Sequence, residues 1–137
     1  TYGYKRQINE NDVSVTIDIP TDLTIKGVLA YVESIILNLV TNAIKYRNRE
    51  KKATLTIQAS LDSEYVLLSV EDNGLGIDMD KYGQKLFGMY KTFHGNDDAR
   101  GIGLFITKNQ IESMGGRITV ESKVGTGTRF MVKLLKG

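Results

Sequence analysis

Apolar and polar positions alternate from residue 13 onward. In "VSVTIDIP" the apolar Val13, Val15, Ile17 and Ile19 interleave with polar residues, predicting a half-buried strand closed by the only proline. The period then lengthens. From about Gly27 to Arg47, Leu29, Val32, Ile36, Leu39, Val40 and Ala43 gather on one side at about 100° per residue, which predicts a helix. "TLTIQAS" and "YVLLSVED" predict two strands separated by the polar turn "LDSE". The second is nearly continuous in apolar residues, the pattern of a central strand covered on both faces.

Residues 74–101 hold scattered glycines, one short apolar patch and no sustained period, so they predict a long functional connection. A helix follows from about Ile102 to Met114, with Gly115-Gly116 as its stop. "RITVES", "KVGTGT" and "RFMVKLL" predict a closing hairpin with a glycine-bearing turn. Strands joined mostly by hairpins and interleaved with helices predict an α/β two-layer sandwich of sheet and helices.

Composition narrows the function classes. At 137 residues the chain predicts one domain with one buried core. It has no cysteine and a single histidine, His94, which excludes disulfides and thiolate metal sites and disfavours histidine-rich zinc. A net charge of +2 is too small to argue for nucleic acid. The basic run "KYRNREKK" reads, from Arg47 onward, as a solvated helix end complementing the C-terminal dipole. No apolar run approaches the roughly 20 residues that span a bilayer. The first residues do not resemble a signal peptide, and the chain is expected to be cytoplasmic with no direct membrane contact of its own, whether or not a larger parent protein is membrane-anchored.

Four stretches carry candidate chemistry. In "NLVTNAIKY" Asn38, Asn42 and Lys45 are spaced i, i+4, i+7 and share a helix face roughly opposite the apolar stripe, with Tyr46 at its margin. Amide oxygens suit Mg²⁺ and an ammonium suits phosphate, so this face reads as one wall of a magnesium–polyphosphate site or as a plain solvated surface. In "VEDNGLGID" a strand delivers Asp72, and Gly74 and Gly76 follow, permitting close backbone approach to a ligand or simply a tight turn. Such a carboxylate can accept from an amino group such as that of adenine. In "ARGIGLF" Gly101 and Gly103 stand at a predicted helix start, whose amide groups attract anions. In "GTGTRF" Thr128 begins the last strand, where its hydroxyl can bond a ligand directly or through water.

The ordered set N-x-x-x-N-A-x-K-Y, D-x-G-x-G, "LFGMYKTF", G-x-G-L and G-x-G-T-x-F resembles the ATP-binding catalytic domain of two-component sensor histidine kinases. That family shares a superfamily with DNA gyrase, mismatch-repair ATPases and the ninety-kilodalton heat-shock chaperones. The resemblance covers about residues 13–134. It implies a Bergerat-type sandwich: a mixed, mostly antiparallel sheet on about three helices, binding ATP and Mg²⁺. Residues 1–12 would be the remnant of a linker from an upstream dimerisation hairpin, and residues 78–100 the lid over the nucleotide. By motif, Asn38 and Asn42 are implied as metal-side amides, Asn42 foremost as Mg²⁺ ligand, and Lys45 as a phosphate contact. Tyr46 would lie beside the nucleotide, and Asp72 would read the adenine amine. Gly74, Gly76 and Ile77 would lie under the base and at the start of the lid. Gly101, Gly103 and Leu104 form the second glycine box, and Thr128 stands near adenine.

Hydrolases of the superfamily carry a glutamate where this chain has Asn38. That carboxylate can serve as general base toward water, and an amide cannot. The pattern therefore favours a kinase, which positions ATP for another nucleophile. The phospho-accepting histidine of the family lies on the upstream hairpin; His94 falls in the lid. The resemblance thus implies an excised kinase domain whose partners are that hairpin and, through the full-length kinase, a response regulator. Two positions depart from the family pattern: Thr92, where many relatives have arginine, and Ala99, where many have glycine. Lys91 or Arg100 is the candidate replacement for the missing charge, Arg100 being the preferred catalytic one. A docking module with an impaired site, a gyrase-like ATPase and an anti-sigma-type serine kinase are the alternatives.

Overall fold

A computed structural model of the chain describes residues 13–20, 23–82, 86–87 and 98–137, with backbone only at 82 and 98–103. Five strands form one sheet: β1 (Val13–Asp18), β2 (Ala53–Asp62), β3 (Tyr65–Asp72), β4 (Arg117–Lys123) and β5 (Gly127–Leu135). Three helices are described: α1 (Leu29–Lys45), the single-turn α2 (Met79–Tyr82) and α3 (Asp98–Ser113). The spatial order is β1-β2-β3-β5-β4. β1 and β2 run parallel, as a connection through a full helix allows, and the other neighbours are antiparallel. This is the mixed, mostly antiparallel α/β sandwich expected from the motifs. Among the described residues no helix is long and apolar enough to cross a membrane.

Strand alternation sorts the side chains. Leu55 and Ile57 of β2, Val66, Leu68 and Val70 of β3, and Phe130, Val132 and Leu134 of β5 are buried on the helix side. Thr54, Glu71 and Lys133 fall on the other side by the same alternation. On the outer side of β3 Glu71 is exposed while Ser69 is buried, so that face is covered only in part. β3 reads as continuous because Leu67 is half-buried by its neighbours in the sheet.

The apolar arc of α1 differs in part from the predicted stripe. Ile35, Leu39, Val40 and Ile44 are the buried residues, and Val32, Ile36 and Ala43 pack partly against the core. Leu29, at the first helical position, is 72% exposed. It stands ahead of the turns that meet the sheet. At the other end Arg47 Nη1 donates to the Ile44 carbonyl at 2.7 Å, satisfying a terminal acceptor as the basic run predicted. Two residues of the expected lid are structural anchors: Leu86 is fully buried, and the Phe87 ring meets Phe130 edge-on at 6.4 Å.

The helix predicted from Ile102 begins instead at Asp98. Alanine and arginine favour helix, and an aspartate complements the helix N-terminus, so residues 98–100 extend it. Its end matches the sequence reading. Gly115 (φ 78°) donates to the Glu112 carbonyl and Gly116 to that of Ile111, a Schellman closure. Gly115→Ala should therefore lower stability by about 1 kcal/mol in a urea titration, since a Cβ is disfavoured at that backbone conformation. An unchanged midpoint would show that the left-handed cap contributes nothing.

Candidate nucleotide-binding site

The end of the sandwich where α1 finishes and β5 begins gathers motifs far apart in sequence. Asp72, the last residue of β3, faces Thr128, the second residue of β5, in ladder register. Both lie on the helix side of the sheet, and Thr128 is buried. Asp72 Oδ1 accepts from the Gly74 amide at 2.8 Å and from the Thr128 amide at 3.3 Å, so backbone donors fix the carboxylate in place. The next residues are tied to both neighbours. The Leu75 amide donates to the Tyr46 carbonyl at the end of α1, and the Gly125 amide to the Leu75 carbonyl. The D-x-G-x-G turn is thus a bridge between the N-x-x-x-N-A-x-K-Y helix and the closing hairpin.

Beyond Gly76, Ile77 is a core residue, and its amide donates to Ser122 Oγ at 2.8 Å. That hydroxyl also lies 2.9 Å from the Gly127 carbonyl and 2.8 Å from Thr128 Oγ1. Ser122 lies outside the four candidate motifs. Its signal was the alternation Ile118, Val120, Ser122, which makes a polar residue the last inward position of β4. Asn73 was likewise passed over as part of a turn. Its side chain accepts from the Thr54 amide and donates to the Lys52 carbonyl, fastening the turn to β2.

On α1, Asn38 is half-buried and its Nδ2 donates to Thr107 Oγ1 of α3 at 3.0 Å. The predicted amide face is therefore a flank turned toward α3, not a surface opposite the core. Helix α3 buries Leu104, Thr107 and Ile111, a stripe continued by Met114 just beyond its end, in which Thr107 occupies an apolar position. Thr107→Val should cost about 1–2 kcal/mol, because it leaves a half-buried amide donor without its partner. A chemical-denaturation midpoint equal to that of the parent chain would refute this.

Asn42 is half-buried, and its amide makes no hydrogen bond among the described residues. Lys45 is exposed, its Nζ 5.4 Å from the Tyr46 ring centroid. Leu104 lies in the core beneath this end. Gly101 and Gly103 lie inside the first turns of α3 rather than ahead of it, because the helix starts early. Arg100 and Ala99 belong to its first turn, with backbone described and side chains outside the description. Lys91, Thr92 and His94 lie outside the described residues. A groove of about 530 Å³ is lined by Thr56, Glu71, Arg129 and Glu121 of the outer side of the sheet together with Asp72, Ser122 and Thr128, and by none of the α1 residues. Among the described residues, no group of three His, Asp or Glu side chains could hold a metal ion.

Comparison with known proteins agrees with this architecture. Residues 27–137 match the family of histidine kinase-, DNA gyrase B- and HSP90-like ATPases. The methanogenesis regulatory histidine kinase FilI of Methanothrix harundinacea is 34% identical over 103 residues, covering 75% of this chain and 12% of FilI. Cyanobacterial phytochrome A of Nostoc sp. is 34% identical over 128 residues, covering 92% of this chain and 16% of the phytochrome. The chain thus spans less than a fifth of the length of either relative. Among solved structures, the catalytic domain of histidine kinase ThkA superposes with a TM-score of 0.83 at 23% identity, over 98% of this chain and 86% of that one. Full-length ShkA in complex with AMPPNP gives 0.78 at 23% identity, over 98% of this chain and 30% of that one. The chain belongs to the histidine kinase-, DNA gyrase B- and HSP90-like ATPase family, and within it resembles the catalytic ATP-binding domain of sensor histidine kinases.

Proposed function

We propose that this domain binds Mg-ATP between α1, the Asp72–Ile77 turn and α3, and donates the γ-phosphoryl group to a histidine on a separate domain. The observation that carries the reading is the convergence at one end of the sandwich of Asp72, Thr128 and the C-terminal end of α1, three motifs distant in sequence. Asp72, held by two backbone amides, accepts from the 6-amino group of adenine beside Thr128. Lys45 and the first turns of α3, with Gly101 and Gly103, meet the phosphates, with Arg100 or Lys91 as a further cation. Tyr46, Gly74, Gly76, Ile77 and Leu104 shape the floor and margins.

The donor set fits magnesium. Amide oxygens are neutral hard ligands, and a cation shared with triphosphate oxygens needs few protein carboxylates. Asn42, whose amide makes no hydrogen bond among the described residues, and the Oδ1 of Asn38 would hold it. When bound, the ion offsets charge on the phosphate oxygens.

Transfer to an imidazole breaks the bond between the γ-phosphorus and the bridging oxygen and forms a P–N bond, releasing ADP. The protein's share is positioning and charge stabilisation. Asn38 supports transfer over hydrolysis: at the position where a carboxylate would activate water stands an amide whose nitrogen is engaged by Thr107.

Incubating the 137-residue chain with ATP, Mg²⁺ and a histidine-bearing dimerisation hairpin from a sensor kinase tests the reading. The expected product is acid-labile, base-stable phosphate on the hairpin. Release of inorganic phosphate without the hairpin would favour a gyrase-like hydrolase. Failure to bind ATP at millimolar concentration would leave a docking module.

A further inference from the structure

The Ser122 hydroxyl and the three polar atoms around it have a proton arrangement that can be worked out. A serine hydroxyl has one proton and two lone pairs. The Gly127 carbonyl oxygen, 2.9 Å from Ser122 Oγ, can only accept, so the Ser122 proton is directed there. The Ile77 amide donates into one lone pair at 2.8 Å. The remaining lone pair faces Thr128 Oγ1 at 2.8 Å, a contact in which either oxygen has the geometry to donate. Ser122 has no second proton, so Thr128 is the donor. Thr128 Oγ1 is then left with lone pairs alone for anything that enters beside Asp72.

This gives the base-reading end of the site a single polarity. The Asp72 carboxylate accepts, and so does Thr128, with which it is paired in the β3–β5 ladder. Adenine presents an amino group at C6. A 6-oxo purine such as hypoxanthine presents a carbonyl oxygen at that position and meets two acceptors, a mismatch of unpaired polar groups. Resting on the nucleotide-binding reading above, we infer that Ser122 is a specificity-determining positioning residue. By fixing the direction of the Thr128 proton, it makes the domain select 6-amino over 6-oxo purine nucleotides. Its influence on this selection passes through the Thr128 hydroxyl.

The test is calorimetric titration of ADP and IDP into the chain and its Ser122→Ala, Ser122→Cys and Ser122→Thr variants. Ser122→Ala releases the Thr128 proton to donate toward a 6-oxo group. The preference for ADP over IDP should fall about tenfold, chiefly through tighter IDP binding. Ser122→Cys, similar in volume and a weaker hydrogen-bond partner, should shift the ratio in the same direction by less, and serves if the alanine variant does not fold. Ser122→Thr keeps the hydroxyl and should keep the ratio. Equal weakening of both nucleotides in the alanine and cysteine variants would overturn the inference, because a merely structural serine lowers the folded fraction without changing the ratio. An unmoved ratio beside normal ADP binding would overturn it alone. A parent chain that binds neither nucleotide would overturn the nucleotide-binding reading, and this inference with it.

Discussion

Asp72→Asn should weaken ADP binding at least about a hundredfold, equivalent to about 2.7 kcal/mol. The substitution is nearly isosteric, and its remaining amide oxygen can still accept from the Gly74 and Thr128 amides, so the turn should hold its shape. What changes is the polarity toward the base. A charged acceptor is replaced by an NH₂ group, which would face the amino group of adenine donor to donor. Charge-assisted hydrogen bonds are roughly twice as strong as neutral ones, and a buried mismatch adds its own desolvation cost. Titration calorimetry measures the affinity, and the denaturation midpoint of the same sample checks that the fold is intact. A change of less than threefold in affinity with an unchanged midpoint would place adenine recognition elsewhere.

The second large effect belongs to Gly127. Its φ is 140°, a backbone region that side chains rarely enter, and a Cβ built there would collide with the Asp72 carbonyl oxygen and lie 2.9 Å from Asn73 Cα. Backbone rather than a flexible side chain is in the way, so relief requires β3 and β5 to separate where Asp72 and Thr128 pair. Gly127→Ala should therefore cost about 3 kcal/mol or more, since strain and a lost cross-strand contact act together. It should also weaken ADP binding. Urea unfolding gives the first quantity and calorimetry of the folded protein the second. Loss of stability with full affinity in the remaining folded molecules would mean that the pairing at Asp72 does not shape the site.

These two residues also show how far the sequence could be read. Asp72 and Thr128 were identifiable from their motifs, and the resemblance supplied the fold that unites them. Apolar runs bounded by turn residues marked all five strands to within two or three residues, β1 by alternation and β3 by a nearly continuous apolar stretch. The neighbour relations were less accessible. No local pattern says that β5 lies between β3 and β4, since register depends on packing across the whole sheet. Helix α1 was legible as a helix. Its buried arc was misjudged at Leu29, and Ile35 and Ile44 were left out of it, because periodicity gives the existence of a face and not how far along the helix the sheet reaches. Thr107 and Ser122 were missed for a shared reason. Each is a lone hydroxyl at a position patterned for the core, and its partner comes from a different element. The early start of α3 shows propensity at residues 98–100 prevailing over the glycines that suggested a loop.

The placement of β5 has a consequence for how the domain is made. Asp72 emerges from a ribosome 56 residues before Thr128, and β3 has its antiparallel partner on one side only until the last strand arrives. Contacts of such long separation form late and slow folding, because the intervening chain must be ordered first. The end of the sheet where Asp72 and Thr128 pair is closed only once β5 has been made. A chain ending after β4 should be left with an unpaired β3 edge, so that a truncated product is not a weakened form of this domain but a target for aggregation or proteolysis.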